Sequence, residues 1–319
     1  MRCLSSVSIS LIVCSTQLKC FSYAFAPLSP WIFGRGDVAN KVRLGMAENG
    51  PPQYDRHPAS VMSNVKVGND AYLIRVLSED DEPVDYEPGH VLALEIPDPE
   101  NTDEWLRGPY TVTRSDDVSF DVMYKVVGKK TKTFATATTG DKLQFGGKFK
   151  VPILQGIQDP QELDRIVLIS TGVGVGPQIG FIEQALLNDA FAGVQIDLYA
   201  GYRNIEDVCC AEELDALAKV HPTRFSWEAI VSTQVGRTSD TYGLSKIAGD
   251  KKINTHYHLI GNGSMVNEFQ AGLQKANIPK DRVTVEMYFN HKESPRPDVV
   301  DRIANSIKLA ESTSSVASS

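Results

Sequence analysis

The sequence predicts two successive folds, an antiparallel β-barrel over residues 55–155 and an α/β domain with a parallel sheet over residues 160–290. Two observations predict this order. Residues 65–152 contain short runs of β-forming residues separated by Gly, Pro and Asp, which is typical of an antiparallel barrel or sandwich. From Arg165 onward, apolar strand-like runs alternate with helical runs, which indicates a parallel sheet with crossover helices on both faces.

Length and composition agree with two ordinary domains. The chain has 319 residues, of which 42% are hydrophobic and 23% are charged, as in soluble globular proteins. No apolar run reaches the roughly 18 to 20 residues that span a bilayer. We therefore expect a soluble mature chain without a transmembrane segment.

The first 44 residues differ from the rest and are predicted to be a targeting presequence. Met1 and Arg2 precede the apolar stretch Leu4 to Cys14, which is similar to a secretory signal. The motif Ala24-Phe25-Ala26-Pro27 follows, and a basic segment comes after it. This arrangement resembles the two-part plastid presequence of diatoms and related algae. The predicted destination is the plastid; the alternative is a plain secretory signal followed by a linker.

The remaining chain is acidic. The whole protein carries a net charge of −8, and residues 1–44 contribute five basic side chains and one acid, a net of +4, so the remainder carries −12. This balance argues against nucleic acid as a partner. The two cysteines of the remainder, Cys209 and Cys210, are adjacent, and neighbouring cysteines form only a strained disulfide. We expect buried or half-buried helical thiols, and we predict no metal site.

Within the barrel half, only a short turn is expected to interrupt the strands, around Asp103 to Leu106. The boundary between the halves is predicted at the polar stretch Gln155 to Gln161. After residue 290, a short amphipathic stretch precedes the tail ESTSSVASS, which is expected to be disordered, so residues 291–319 form a partly disordered tail. The predicted strands of the barrel are VKVGNDAYLIRVL, HVLALEI, YTVT, VSFDVMYKVV and DKLQF.

A glycine-rich loop connects the first strand of the second half, RIVLIST, to the helix that follows it. Such a loop lets the backbone approach a pyrophosphate, and the helix N-terminus offers unpaired N–H groups and a favourable dipole. Ligands of parallel sheets bind at the carboxyl ends of strands, where this loop lies. The loop reads TGVGVGP, and its predicted dinucleotide-binding residues are Thr171, Gly172, Gly174, Gly176 and Pro177.

An ordered series of motifs resembles the ferredoxin–NADP reductase superfamily over roughly residues 65–289. The chain contains PGH at residue 88, PYT at residue 109, GKKT at residue 128 and GD at residue 140, followed by TGVGVGP, LYAGYRNIEDV, HLIGNGSMV and VEMYF. The resemblance implies a β-barrel FAD domain of the FR type followed by a Rossmann-like NAD(P) domain. It also implies a flavin-dependent NAD(P)H oxidoreductase.

The resemblance implies a role for several barrel residues and for one acid of the closing strand. Tyr110 offers an aromatic face to the flavin ring and a hydroxyl to the ribityl chain, and Thr111 reaches the ring nitrogen that receives hydride. With Glu286, which closes the active site in the family, these are the predicted catalytic residues. The implied FAD-binding residues are Arg107, Pro109, Tyr110, Thr111, Gly128, Lys129, Lys130 and Thr131.

On the nicotinamide side, the resemblance implies that Arg203 and Arg237 grip the 2′-phosphate of NADP, so NADP is favoured and NAD stays open. The alternative is that these arginines pair with surface acids such as Glu206 or Asp207. In HLIGNGSMV, Gly261 and Met265 match the family's glycine and methionine, and the resemblance implies that both belong to the nucleotide-binding site.

Three features depart from the family pattern. The family's arginine stands two residues before the tyrosine, but residue 108 is Gly and the nearby arginine is Arg107. Because a strand reverses face at each residue, that shift can misdirect the side chain. Ile260 replaces the family's cysteine, and the chain continues beyond the aromatic residues Tyr288 and Phe289 that could shield the ring.

A lysine-rich stretch between Lys125 and Lys150 holds seven lysines and one acid, Asp141. It could attract an acidic one-electron carrier such as a ferredoxin, or simply form a solvated face. The predicted function is electron transfer between NADP(H) and such a carrier. The alternatives are an NADH-type diaphorase or oxygenase-reductase with another acceptor, and a non-catalytic nucleotide-binding module of the same fold.

Overall fold

The computed structural model describes residues 53–240, 244–248 and 254–316. The predicted targeting segment, residues 1–44, lies outside the described residues. Within the described part of the chain, no helix is both long and apolar enough to cross a membrane.

Six antiparallel strands form a closed barrel in the order β1-β2-β5-β4-β3-β6, with β6 paired to β1. Alternate side chains of these strands point inward, as the pleat requires, and form a core that includes Ile74, Leu92, Val112 and Phe120. This confirms the predicted barrel. The strands are β1 (His57–Lys66), β2 (Ala71–Ser78), β3 (Val91–Asp98), β4 (Asn101–Ser115), β5 (Ser119–Lys125) and β6 (Lys142–Gly146).

Two details of the barrel differ from the sequence prediction. The expected turn at Asp103 to Leu106 is part of the long strand β4: Trp105 and Leu106 pair with Pro97 and Ile96 of β3, and the register shifts just before them. An unpredicted helix, α1 (Lys129–Thr136), follows β5 and packs Phe134 into the barrel core.

The second half is a five-stranded parallel sheet in the order β11-β10-β7-β8-β9. Helices cover its faces, as the alternation of runs predicts. The strands are β7 (Arg165–Thr171), β8 (Gln195–Tyr202), β9 (Phe225–Val231), β10 (Thr255–Asn262) and β11 (Val283–Phe289). The helices are α2 (Val175–Leu187), α3 (Ala211–Val220), α4 (Ser232–Val235), α5 (Leu244–Ala248), α6 (Gly263–Lys275) and α7 (Pro297–Val316).

The barrel and the sheet pack directly against each other through α2. A Cβ atom at Gly176 would lie 2.7 Å from Met123 Cβ of the barrel, and one at Gly180 would overlap the carbonyl oxygen of Thr113. Met123 belongs to the same apolar cluster as the core residues of α2. Arg114 of β4 donates to Glu183 of α2 at 2.6 Å, so an ion pair closes this contact.

Two further predictions need adjustment. Cys209 is buried and Cys210 is half-buried, but both precede α3, because Cys210 adopts a left-handed φ of 54° at the helix N-cap. The amphipathic stretch near the end forms α7, which packs Val299 and Ile303 into the same core as α6. This helix runs on through ESTSSV to Val316, part of the tail that was expected to lack structure.

Candidate active site

Three side chains meet where the barrel touches the closing strand of the sheet. Thr111 Oγ1 of β4 donates a hydrogen bond of 2.6 Å to Glu286 Oε1 of β11, across 175 positions of sequence. Lys150, which follows β6, donates to Glu286 Oε2 at 3.1 Å and to the carbonyl of Val285 at 3.0 Å. Thr111 and Glu286 are both buried. The structure therefore brings together two of the three predicted catalytic residues and adds a lysine to them.

Tyr110, the third predicted catalytic residue, lies on the other face of β4. It pairs in register with Leu92, a barrel core residue, and its ring packs edge-on against Phe134 of α1 at 5.5 Å between centroids. Its hydroxyl is buried and has no hydrogen-bond partner among the described residues. Burial raises the pKa of Tyr110 above its ordinary value. A buried hydroxyl without a partner is costly, so it indicates a polar group supplied by a ligand.

The start of α1 lies beside this tyrosine. The predicted residue Thr131 accepts the backbone N–H groups of Val127 and Gly128 at 2.8 and 3.1 Å, so its hydroxyl orders the turn at the helix start. The N–H groups of the first helical turn, including those of Lys129 and Lys130, have no intrahelical acceptor. The Lys129 side chain is engaged elsewhere, with Asp98 at 2.8 Å and Glu100 at 2.5 Å.

Arg107 points away from Tyr110. It pairs in register with Glu95, and cross-strand partners share a face, whereas Tyr110 pairs with the core residue Leu92. The Arg107 guanidinium lies 5.5 Å from the centre of the Tyr54 ring. The one-residue shift therefore misdirects this arginine, and Pro109, on the same face of the strand, is exposed. Arg107 instead lines a cavity of about 350 Å³ together with Arg56, Glu95, Trp105 and Gln144.

The three glycines of the TGVGVGP loop have different environments. Gly172 has a left-handed φ of 54°, and a Cβ atom there would have no described atom within 4 Å. Gly174 packs against the carbonyl oxygen of Ile260, 3.1 Å from its Cβ position, and Gly176 packs against the barrel. The loop forms one 3₁₀ turn that leads into α2, with Pro177 in the first turn of that helix. Only Gly172 faces the open side where a pyrophosphate could approach.

The neighbouring strand end supports this loop. Asn262 N donates to Thr171 Oγ1 at 2.8 Å, and a Cβ atom at Gly261, whose φ is 124°, would overlap that oxygen. Gly261 is thus required for the contact between β10 and β7. Ile260 is fully buried, and Met265 lies in the core beside Val266 and Phe269. Met265 is therefore a core residue, and the structure does not place it on the exposed surface of the loop.

Arg203 and Arg237 are exposed and follow the carboxyl ends of the adjacent strands β8 and β9. The carbonyl of Arg203 accepts the Thr233 hydroxyl at 2.9 Å, which ties the two strand ends together. Neither guanidinium has a carboxylate partner among the described residues. Asp207, a rival partner, instead accepts the backbone N–H of Asn204 at 3.2 Å. Both cations are therefore available to a ligand.

The lysine-rich stretch does not form one continuous basic surface. Lys129 and Lys150 pair with the acids given above, and Lys148 pairs with Asp85 at 2.6 Å. Lys125 and Lys142 are exposed, but β1 and β2 separate their strands in the barrel. Three of the seven lysines thus have carboxylate partners, which reduces the local positive charge.

The residues present fit both cofactors that the sequence implies. On the barrel, the unpartnered Tyr110 hydroxyl and the first turn of α1 suit a ribityl chain and its diphosphate. On the sheet, Gly172 and the first amides before α2 suit a second diphosphate. The Thr111–Glu286 contact lies at the junction of barrel and sheet. This is the arrangement that a flavin next to a nicotinamide requires.

The second domain is similar to a known family. Residues 168–270, which lie within this domain, match the model of the oxidoreductase NAD-binding domain. The chain is 28% identical over 218 residues to the ferredoxin reductase component of 3-ketosteroid-9-alpha-monooxygenase from Rhodococcus rhodochrous, covering 67% of this chain and 59% of that protein. It is 29% identical over 122 residues to NADH-cytochrome b5 reductase 2 of Yarrowia lipolytica, covering 37% and 40%. The chain thus spans 40 to 59% of the length of these relatives.

Solved structures confirm the predicted fold. A flavohemoglobin from Malassezia yamatoensis with bound FAD and heme superposes with a TM-score of 0.63 at 18% identity, covering 73% of this chain and 60% of that one. Ferredoxin-NADP+ reductase from Plasmodium falciparum with 2′P-AMP superposes with a TM-score of 0.59 at 17% identity, covering 73% and 96%. The comparisons agree with the predicted enzyme class, a flavin-dependent NAD(P)H oxidoreductase, and with FAD and NAD(P) as its cofactors.

Sequence reasoning missed the role of one residue of this site. Lys150 entered only as a member of the lysine-rich stretch, yet it is the cation that holds Glu286. Its distance from Glu286 in the sequence, 136 positions, leaves no local signal.

Proposed function

We propose that this chain is an FAD-dependent oxidoreductase that passes electrons between NADP(H) and a one-electron carrier of the ferredoxin type. The observation that carries this proposal is the buried Thr111–Glu286 hydrogen bond between the barrel and the sheet. It fixes a hydroxyl and a carboxylate at the one place where ligands of the two domains would meet. When bound, FAD accepts a hydride and releases electrons singly.

The residues of the chain orient the reacting groups. The Thr111 hydroxyl donates to Glu286 and also interacts with Tyr288, and its oxygen has a further lone pair that could accept a hydrogen bond from an N–H group of a ligand. Lys150 fixes the second oxygen of Glu286, which holds the carboxylate where it accepts the Thr111 hydroxyl. Burial and Glu286 raise the pKa of the adjacent Tyr288 well above its ordinary value. Tyr288 therefore stays neutral and serves as a half-buried aromatic wall, while Phe289 is exposed.

The preference for NADP rests on Arg203 and Arg237. Two exposed guanidinium groups without carboxylate partners, at adjacent strand ends, suit a 2′-phosphate. The similar Plasmodium falciparum reductase is described with 2′P-AMP, which supports the same preference. NADH is the alternative because three relatives of this chain are NADH-cytochrome b5 reductases.

The electron acceptor that we propose is a ferredoxin-type protein that binds at exposed lysines of the barrel. The reductase component from Rhodococcus rhodochrous supports a ferredoxin-type partner, but the pairing of three lysines with acids leaves fewer cations for docking. We expect Lys125→Glu, Lys132→Glu and Lys142→Glu, combined, to lower ferredoxin-dependent turnover several-fold and to spare ferricyanide reduction. Equal loss with both acceptors would reject ferredoxin docking at these lysines and favour the diaphorase alternative.

An absorbance spectrum of the purified protein tests the proposed function directly. Bound flavin should give absorbance bands at about 380 and 450 nm, a property of the cofactor itself. Anaerobic addition of NADPH should then bleach the band at about 450 nm within seconds. A folded but colourless protein, or a yellow protein that neither NADPH nor NADH bleaches, would instead indicate the non-catalytic nucleotide-binding module.

We also propose that residues 1–44 direct the protein to the plastid, on the strength of the Ala24-Phe25-Ala26-Pro27 motif and the basic, nearly acid-free segment after it. Fluorescent fusions of this segment, with and without Phe25→Ala, test it in diatom cells. We expect the intact segment to label plastids and the variant to remain in the secretory system. Secretion of both fusions would support the plain secretory signal.

A further inference from the structure

We propose that the Lys130 ammonium group binds the diphosphate of the flavin cofactor, from a position that exists only because residue 108 is glycine. This inference deepens the proposed function and rests on it, since it names the cation that holds FAD.

The position of Lys130 is unusual for a lysine at the start of a helix. Its side chain folds back from α1 across β4 and donates to the carbonyl oxygen of Arg107 at 3.2 Å. Its ammonium group lies 5.3 Å from the centre of the Tyr110 ring. The side chain is half-buried, and burial lowers its pKa below the ordinary value.

Gly108 creates the space that Lys130 occupies. A Cβ atom at residue 108 would overlap Lys130 Nζ and would lie 2.8 Å from its Cε atom. Gly108 pairs with Leu94 in β3, and Tyr110 pairs with Leu92. Because residues two positions apart in a strand lie on the same face, Gly108 shares the face of Tyr110. Any other residue at this position would displace the lysine. The glycine and the lysine are therefore one unit.

The ammonium group lacks a partner of opposite charge. Among the described residues, no carboxylate contacts Lys130, whereas Lys129, its neighbour in the chain, pairs with both Asp98 and Glu100. The half-buried ammonium group contacts one carbonyl oxygen and one aromatic ring, and these two contacts do not fully replace the water that it has lost. An anion would be attracted more strongly to this ammonium group than to an exposed lysine, because water screens the attraction between the two charges less.

The surroundings specify the kind of anion. The first-turn N–H groups of α1 lie on the same element as Lys130 and attract phosphate oxygens. Below them lie the Tyr110 ring and its unpartnered hydroxyl, which suit an aromatic ring system with a polyhydroxyl chain. A diphosphate joined to a flavin through a ribityl chain meets all three requirements, whereas a free phosphate would leave Tyr110 unpaired.

Binding of FAD and of riboflavin to the flavin-free full chain tests this proposal, because riboflavin lacks the diphosphate. We expect Lys130→Ala to raise the FAD dissociation constant about 10- to 100-fold, the range of a charge-assisted hydrogen bond. Riboflavin binding should change less than about threefold. Lys132→Ala, which removes an exposed lysine of the same helix, is the matched control and should leave both constants nearly unchanged.

Two further variants separate charge from packing. Lys130→Arg should retain most of the FAD affinity, and the double variant Gly108→Arg with Lys130→Ala should regain at least half of the lost factor. The FAD dissociation constant of the wild type should also rise more steeply with salt concentration than that of Lys130→Ala. Circular dichroism confirms that each variant is folded.

The outcomes distinguish this inference from the function on which it rests. If Lys130→Ala binds FAD like Lys132→Ala, or loses riboflavin and FAD equally, Lys130 does not hold the diphosphate, while the enzyme proposal stands. If the folded wild type binds no FAD at all, the proposed function is overturned and this inference with it.

Discussion

The barrel and the parallel sheet each present the start of a helix to a dinucleotide, but they surround it differently. At α1, a lysine and a tyrosine ring lie beside the helix start, and both are at least half-buried. At α2, the first turn reads VGPQ and has no charged side chain; the nearest cations proposed for a ligand, Arg203 and Arg237, are exposed and belong to other elements. Water screens exposed charges more strongly than buried ones. The barrel is thus suited to retain a cofactor, and the sheet to exchange a substrate.

The largest effect is expected where the two regions meet. Thr111→Val removes the hydroxyl that donates a hydrogen bond to Glu286, and we expect hydride transfer to fall about 10- to 100-fold, since this hydroxyl no longer positions the reacting groups. Stopped-flow bleaching of the flavin by NADPH measures this rate. Flavin content should be unchanged, and Thr139→Val, at an exposed turn of the barrel, should behave like the wild type. An unaltered rate in Thr111→Val would show that this contact is only structural.

The second largest effect is expected in the glycine loop of the sheet domain, and it should leave the barrel unaffected. Gly172→Ala adds a side chain on the open side of the loop at a left-handed φ of 54°, which strains the backbone and blocks a phosphate. We expect the NADPH dissociation constant to rise about 10-fold and FAD retention to stay the same. Gly193→Ala is the control, because that glycine also has open space around its Cβ position but lies before β8, at the opposite edge of the sheet. Loss of FAD in Gly172→Ala would contradict the division between the two regions.

A smaller effect concerns the choice of nucleotide. Arg203→Ala and Arg237→Ala should each weaken NADPH about five- to tenfold, since an exposed charge-assisted contact is lost, and should leave NADH within about twofold. Steady-state KM values for both nucleotides measure this difference. Lys219→Ala removes an exposed cation at the end of α3 and controls for net charge. If NADPH and NADH weaken equally, the arginines do not read the 2′-phosphate.

The smallest effect concerns the charged seam between the regions. Burial raises the pKa of Asp121 to about 6, against the opposing influence of Arg75 and Arg114. The folded state therefore holds this proton more tightly than the unfolded chain, and wild-type stability falls as pH rises from about 4 to about 6. Asp121→Asn lacks that step, so its stability relative to wild type should improve by roughly 1 kcal/mol between pH 5.5 and pH 8.

Urea unfolding at the two pH values measures this difference. Asp117→Asn, at an exposed position of the same hairpin, should show no such change. A relative stability of Asp121→Asn that is the same at both pH values would show that the Asp121 pKa is not raised.

The sequence allowed the two folds to be predicted, because they depend on local periodicity. Arg107 was expected among the FAD-binding residues; because a strand reverses its face at each residue, its position three residues before Tyr110 places it on the opposite face of β4. The helix α1 was missed because KKTKTFAT has no apolar stripe long enough to indicate a helix; its single aromatic, Phe134, packs into the barrel core.

The contacts that assemble the site could not be predicted from local patterns. Lys150 reaches Glu286 across 136 positions and Thr111 reaches it across 175, so their meeting depends on how the barrel docks on the sheet. Lys130 was expected among the FAD-binding residues, but the position of its side chain was not predicted. Its side-chain position depends on the missing Cβ of Gly108, 22 positions earlier in the chain, and a motif that is defined by residue spacing does not include that dependence.

The close approach of α2 to the barrel restricts how this protein can be re-engineered. Gly180 lets α2 approach the backbone carbonyl of Thr113, and Gly176 lets it approach the side chains of Met123 and Thr113. Met123 of the barrel also shares an apolar cluster with Ile179 and Ile182 of α2. A chimera that joins this barrel to the nucleotide domain of another reductase would need small residues at both glycine positions. Otherwise the graft would be forced apart, and the hydride donor would be held too far from its acceptor.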